Sequence, residues 1–448
     1  MGVIVSKLSP ARSAALQIGA IVRLRNAYTA EVASSVLSKK PDMSAADKSF
    51  ARKLALGVTS SSGTLDEVIN TCLRSPDDIQ ADVRDALRIS TYELIFLDKQ
   101  NHAAVDQGVE LVRSIAPKAA GLANAVLRKV ANAARSFPFG NTKTNIQALA
   151  RSQAFPLWLA KRLIADLDER RAREFMEASN EDAPVFIAEN ACKEQGELAE
   201  ALTEFYRNAA AVRSCDTVEG CHQLIHASAV ASGTLSKALK TGRVLVSDEA
   251  AQRIAAFALP ETMPESFLEV GAGRGTKTIL LQSNAMRRWG MQMPLVSIDD
   301  HQFKIDLLKQ RTADFEVRLD EAFVADAKHL DKTIGARQFD AVFIDAPCSG
   351  LGTLRRHPEI RWKLTPKDIA VLSRIGYDML ENCAHHVAVG GLLTFATCTV
   401  LNEENEGVVE LFLKTKFGES FELVDSIKTD LQSGGCDAHY AVKLRRRR

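Results

Sequence analysis

Two short segments hold residue types that can do covalent chemistry: Asp345-Ala346-Pro347-Cys348-Ser349-Gly350 and, further along, Ala396-Thr397-Cys398-Thr399. A thiolate is a strong nucleophile toward electron-poor carbon. Position 5 of a pyrimidine is a weak nucleophile by itself. A thiolate added to position 6 makes position 5 an enamine-like carbon that can attack the methyl of a sulfonium. The position-5 proton must then leave and the thiol must be expelled, so such a site calls for more than one reactive group. A carboxyl at the N3 and amino edge of the ring would stabilise the adduct, and Asp345 is the candidate. Transfer to an amino group instead goes with an Asn/Asp-Pro-Pro-aromatic motif that needs no thiol, which Asp345-Ala346-Pro347-Cys348 is not. The residues alone leave open which thiol attacks, Cys348 after the proline or Cys398.

A sulfonium donor needs a site of its own. Glu269-Val270-Gly271-Ala272-Gly273-Arg274-Gly275-Thr276-Lys277-Thr278 reads as a strand end, a glycine-rich turn and the start of a helix. A dinucleotide site would show G-x-G-x-x-G and place a pyrophosphate at the helix N-terminus. Here the spacing is G-x-G-x-G with an acid two residues ahead, and a carboxylate there repels phosphates but suits the sulfonium and ammonium of S-adenosylmethionine. Asp299, at the end of the next strand, is the expected partner of ribose hydroxyls, and Asp326, after the third, is expected to border the adenine. Lys277 and the sulfonium are the groups expected to lower the pKa of an attacking thiol.

These positions must be set by a sheet. Phe267-Leu268-Glu269-Val270, Val296-Ser297-Ile298-Asp299, Phe323-Val324-Ala325-Asp326, Val342-Phe343-Ile344-Asp345 and Leu392-Leu393-Thr394-Phe395 are short apolar runs separated by helical stretches. That alternation predicts a largely parallel, doubly wound sheet, in which ligands bind beyond the carboxyl ends of the strands. Ahead of it, residues 11 to about 135 read as helices, with apolar faces at Ile18, Ile21 and Val22, at Val83, Leu87 and Leu94, and at Leu122, Val126 and Val130. Breaks are expected at Lys40-Pro41-Asp42, Ser60-Ser61-Ser62-Gly63 and Arg74-Ser75-Pro76-Asp77, and a linker at Phe137-Pro138-Phe139-Gly140-Asn141. A helix over Leu157 to Met176 and a strand at Val185-Phe186-Ile187-Ala188 open a small α+β segment. The expected layout is multidomain: an all-α bundle over residues 1–140, an α+β intermediary domain over 141–242 and a Rossmann-like α/β domain over 243–448.

With 46% apolar and 25% charged residues the chain reads as an ordinary globular protein, and no apolar run is long enough to span a bilayer, so a cytoplasmic protein without a membrane partner is expected. The eight cysteines form no C-x-x-C pair and have no histidine at zinc spacing, so no metal is expected. Net charge is only +1, but residues 1–140 carry 18 Lys and Arg against 13 Asp and Glu, and the chain ends in four arginines, a distribution that can attract phosphates.

At these residues the sequence resembles the Sun/Fmu family of RNA cytosine-C5 methyltransferases. The likeness is carried by Asp345 to Trp362, including Arg355-Arg356-His357-Pro358-Glu359, by Thr397-Cys398-Thr399-Val400-Leu401-Asn402-Glu403-Glu404-Asn405, and by Val246-Ser247-Asp248-Glu249-Ala250-Ala251-Gln252. The front of the chain resembles a NusB-type RNA-binding domain through Asp66-Glu67-Val68-Ile69-Asn70, Arg88-Ile89-Ser90-Thr91-Tyr92-Glu93-Leu94 and Gly121-Leu122-Ala123-Asn124-Ala125-Val126-Leu127-Arg128. The resemblance implies Cys398 as nucleophile, Cys348 as the thiol that assists product release, S-adenosylmethionine as donor and small-subunit ribosomal RNA as substrate; a monomer is expected. It also marks a departure: where the family usually reads Ala-Ala-Pro-Gly-Gly-Lys-Thr, this chain has Ala272-Gly273-Arg274-Gly275-Thr276-Lys277-Thr278. The departure keeps open a second reading, an RNA-binding or assembly factor on an inactive methyltransferase fold.

Overall fold

A computed structural model describes residues 8–97, 101–193, 203, 206–207, 212–226, 229–230 and 233–448. They gather in two compact units, Met1–Glu181 with Leu354–Leu364, and Asp182–Thr353 with Thr365–Arg448.

The first unit is helical: α1 (Pro10–Arg25), α2 (Thr29–Ser38), α3 (Ala45–Cys72), α4 (Ala81–Ile95), α5 (Asn101–Ile115) and α6 (Ala120–Ala133), followed by the helices Ile146–Ser152, Leu157–Leu167 and Glu169–Ala178. Its core is formed by the apolar faces of α3 to α6, with Leu54, Leu65, Ile69, Leu87, Leu111 and Leu127 at 0% exposure. Two sequence expectations need correction. The break at Ser60–Gly63 does not occur; α3 runs through it, with the Ser60 and Ser61 hydroxyls turned back onto the Gly57 carbonyl. Gly63 is there for packing, since a Cβ at that position would lie 2.2 Å from the Trp362 ring. Conversely, the single helix expected over Leu157 to Met176 is broken at Asp168, which adopts φ 71° and caps the next helix by accepting the Arg171 N–H.

Leu354–Leu364 counts with this unit although its neighbours in sequence belong to the other. Three of its side chains are tied to helical-unit backbone. Glu359 Oε1 accepts the Thr29 N–H at 2.8 Å, Trp362 Nε1 donates to the Ser60 carbonyl at 2.7 Å, and Arg361 donates to the carbonyls of Gln153, Ala154 and Ser179.

The second unit contains two sheets. The smaller has the order β2-β3-β1-β4, antiparallel throughout, from β1 (Val185–Glu189), β2 (Val212–Ser214), β3 (Cys221–Leu224) and β4 (Val244–Val246). The segment expected as an intermediary domain thus divides, its helices from Ile146 to Ala178 lying in the first unit and its strands, with the helix Gly233–Lys240, in the second. Both faces of this sheet are covered. Ile187, Val212 and Leu224 pack on Leu235 and Ala238, while Phe186 and Cys221 pack on Ala250 and Cys436. Phe186 is therefore spent on packing and offers no stacking platform for a nucleobase.

The larger sheet is built from β5 (Phe267–Val270), β6 (Leu295–Asp299), β7 (Glu321–Val324), β8 (Phe339–Asp345), β9 (Val387–Thr397), β10 (Phe421–Lys428) and β11 (Tyr440–Arg446), in the order β10-β11-β9-β8-β5-β6-β7. Strands β5 to β9 are parallel, and β10 and β11 form an antiparallel hairpin on the edge of β9. Alternate residues serve opposite faces: Leu268 and Val270 enter one core, Phe267 the other. The chain's last arginines belong to this hairpin. Arg446 donates to the Val387 carbonyl and lies over the Phe417 ring, and Arg447 pairs with Glu422. Among the described residues no helix is long and apolar enough to cross a membrane.

Candidate active site

β5 is flanked by β6 on one side and β8 on the other, so the strand order reverses there and the loop after it opens at the switch point where doubly wound sheets bind ligands. The loop is tightly tied. Gly271 and Ala272 both donate to the Ile298 carbonyl, Gly275 donates to the Ala272 carbonyl, and Arg311 reaches the Arg274 carbonyl and the Thr276 hydroxyl. Gly271 sits at φ 82°, and a Cβ there would lie 2.4 Å from the Asp345 carbonyl oxygen. Only glycine allows β5 and β8 to come this close. Of the three positions that differ from the family's pattern, Arg274, at the proline position, is exposed, while Gly273 and Thr276 are half-buried.

The three acids expected at the donor site are differently placed. Glu269 is 0% exposed; its Oε2 accepts the hydroxyls of Thr278 and Ser297, both at 2.7 Å, while Oε1 has no partner among the described residues. Burial pushes its carboxyl up to about 7, and the two hydroxyls offset part of that. Asp299, expected to meet a ribose, also holds the loop itself: Oδ2 accepts the Gly273 N–H at 2.9 Å and Oδ1 pairs with Lys304 at 3.0 Å. Asp326 stands apart from the others, exposed and paired with Lys328. A loop of this kind beside an unpartnered buried carboxylate oxygen fits a donor carrying a sulfonium and an ammonium.

The parallel register pairs Asp345 with Ala396, and this alignment brings the two thiols together. The Cys348 and Cys398 sulfurs are 3.3 Å apart, and the Cys398 N–H also points at the Cys348 sulfur at 3.3 Å. Gly352 locks the arrangement by donating to the Cys398 carbonyl and accepting from Ala438; a Cβ there would lie 1.8 Å from the Ala438 oxygen. Lys277, from the first turn after the glycine loop, pairs with Asp345 at 2.7 Å. Burial works against the Lys277 charge, but Asp345 outweighs it and holds the ammonium above its usual range.

The thiols are electrostatically unequal. The hydrogen bond from Cys348 holds the Cys398 thiol below its ordinary pKa against burial, with Lys277 adding to the effect. The same hydrogen bond, together with burial, drives Cys348 well above its own. The contact therefore favours ionisation at Cys398 over Cys348. His439 and Tyr440 are buried, with 6% and 3% exposure. Sequence reasoning did not find Ser349, Thr399 and Glu404 as site residues, although all three stand within the quoted motifs. No chemical signature marks them until the fold brings them behind the thiols.

Comparison with known proteins agrees with this geometry. Residues 256–443 match the family 16S rRNA methyltransferase RsmB/F, and residues 9–132 match the NusB family. A Mycobacterium tuberculosis protein described as a methyltransferase is 30% identical over 98% of this chain and 97% of its own length. The ribosomal RNA small subunit methyltransferase B of Klebsiella pneumoniae is 28% identical over 82% of this chain and 81% of its own. Among solved structures, PH0851 is similar at a TM-score of 0.78, covering 98% of this chain and 99% of that one at 20% identity. NSun6 from Pyrococcus horikoshii is similar at 0.54, covering 66% and 99% at 15% identity. At such identities the structural likeness is one of fold. With its NusB-type helical domain and its S-adenosylmethionine-type loop, the chain belongs to the RsmB/F family of 16S rRNA methyltransferases.

Proposed function

We propose that this protein transfers a methyl group from S-adenosylmethionine to C5 of a cytosine in small-subunit ribosomal RNA through a covalent Cys398 adduct. The observation that carries this reading is the contact of two unequal thiols, 3.3 Å apart, beside the Lys277–Asp345 pair. S-adenosylmethionine supplies an electrophilic methyl on its sulfonium. The residues suited to hold it are Glu269, Gly271, Ala272, Gly273, Arg274, Gly275, Thr276 and Asp299, with Asp326 at the edge.

Cys398, the thiol already biased toward thiolate, adds to position 6 of the ring. Asp345, oriented by Lys277, takes the N3 and amino edge and stabilises the charge that reaches it. Once position 5 has reacted, its proton is removed, Cys398 is expelled and Cys348 assists that release. A base inside an RNA helix is out of reach of such a thiol, so the target must be unstacked or flipped. The basic helical domain, residues 1–140 in this reading, supplies the affinity for RNA. The protein acts as a cytoplasmic monomer and uses no metal.

Trapping decides the roles of the thiols. A Cys348→Ala variant incubated with 16S rRNA and S-adenosylmethionine should accumulate a denaturant-resistant protein–RNA adduct, and Cys398→Ala should form none. The reverse pattern overturns the assignment. Calorimetry showing no S-adenosylmethionine binding would instead favour an RNA-binding factor on an inactive fold.

A further inference from the structure

The thiol contact is held from behind. Ser349 follows Cys348, Thr399 follows Cys398, and both are bound by one carboxylate, Glu404, in the turn before the helix Glu406–Leu413. Glu404 Oε1 accepts the Ser349 N–H at 2.6 Å, while Oε2 accepts the Ser349 hydroxyl at 2.6 Å and the Thr399 hydroxyl at 3.0 Å. The two hydroxyls also lie 2.8 Å from each other. Glu404 is only 2% exposed, and the next residue, Asn405, ties the same turn to β9 by accepting the Thr397 hydroxyl and donating to the Thr399 carbonyl.

A buried carboxylate is costly to keep unless donors surround it, and here the donors come from the two loops that carry the sulfurs. Past the end of β8, backbone hydrogen bonds from the Ala346 N–H to the Ala396 carbonyl and from the Gly352 N–H to the Cys398 carbonyl join those loops. Side chains supply the rest of the link, and Glu404 accepts from both loops. The Ser349 N–H points at one oxygen and the two hydroxyls meet at the other, and burial raises the carboxyl's pKa against them. An apolar side chain at this position would remove all three contacts.

We propose that Glu404 is the positioning residue of the thiol pair: by binding Ser349 and Thr399 together it keeps the Cys348 and Cys398 sulfurs in contact. The proposal rests on the thiol mechanism above for its catalytic meaning, but its geometry can be tested without RNA.

Phenylarsine oxide reports the contact directly. It condenses with two neighbouring thiols, forming two As–S bonds while its oxygen leaves as water with both thiol protons. The full-length protein is used in a Cys215→Ser background, because Cys215 hydrogen-bonds to Cys221 and forms a second thiol pair. The share of binding that Cys348→Ala removes defines the signal. Glu404→Leu should weaken arsenical affinity about tenfold or more while S-adenosylmethionine affinity changes less than about twofold. Ser349→Ala, which keeps the amide contact and loses the hydroxyl contacts, should weaken it about threefold and decides the matter if Glu404→Leu does not fold. Wild-type arsenical affinity in a folded Glu404→Leu, or in Ser349→Ala where it alone folds, overturns the proposal. Failure of the parent protein to methylate RNA would overturn the functional reading and leave the arsenical result standing.

Discussion

Arg361 and Glu269 are both charged side chains at 0% exposure, one in each unit, and burial moves both from their ordinary ranges, Arg361 down to about 9 and Glu269 up to about 7. The same cost has different consequences. A guanidinium starts so far above neutrality that it stays a cation. Arg361 spends that charge on three backbone carbonyls, on Asn180 and on the face of Phe155, whose ring centre is 4.1 Å away. A carboxyl brought to about 7 is poised, and one of its oxygens is still without a partner. The first is a permanent tie, and the second responds to an arriving cation.

Removing each charge sharpens this contrast. Arg361→Met should cost about 4 kcal/mol in urea unfolding, because several buried acceptors lose their donor together. S-adenosylmethionine affinity of the folded fraction should be unchanged, and an unshifted unfolding midpoint would show that the tie is dispensable. Glu269→Gln should do the opposite, lowering S-adenosylmethionine affinity about a hundredfold, or about 3 kcal/mol, in calorimetry.

The sign of the accompanying pH effect follows from linkage. The folded pKa of Glu269 lies above that of an unfolded glutamate, so the stability this group contributes is fully present at about pH 4 and is lost as pH rises through about 7. Over the same window donor affinity should rise, as the carboxylate forms. Glu269→Gln should flatten both profiles, and a variant that titrates like wild type would remove Glu269 from the site.

A smaller effect is expected at the thiols. Lys277→Met withdraws a cation that favours the Cys398 thiolate and leaves Asp345 unneutralised, so both changes act in one direction. The pH midpoint for alkylation of Cys398 by iodoacetamide should rise about one unit, equivalent to about 1.4 kcal/mol. A midpoint that stays or falls would assign the activation of Cys398 to Cys348 alone.

Much of the α/β sheet was legible because its signals are local. Short apolar runs with an acid within or just after them mark β5, β6, β7 and β8, and the side chains of Leu268 and Val270 alternate with those of Phe267 and Glu269 as an extended chain requires. The same local logic failed at Ser60–Gly63, where a serine and glycine cluster reads as a break and α3 instead continues because Gly63 must admit the Trp362 ring. It failed again within Asp345 to Trp362, which reads as one motif and is two structures. Its first part carries Asp345 and Cys348 at the end of β8, and its second part, from Leu354, belongs to the helical unit.

The sequence by itself determined which elements form, which residue types stand at the strand ends and what chemistry those types permit, since periodicity, turn residues and functional groups are properties of a short stretch of chain. Only the tertiary structure decided that Cys348 and Cys398, 50 residues apart, touch, that Cys398 bears the lower pKa, and that Glu404 joins the loops behind them. Those facts depend on the parallel register of β8 and β9 and on the groups that the fold packs around the thiols. Neither distance nor desolvation is encoded at any single position.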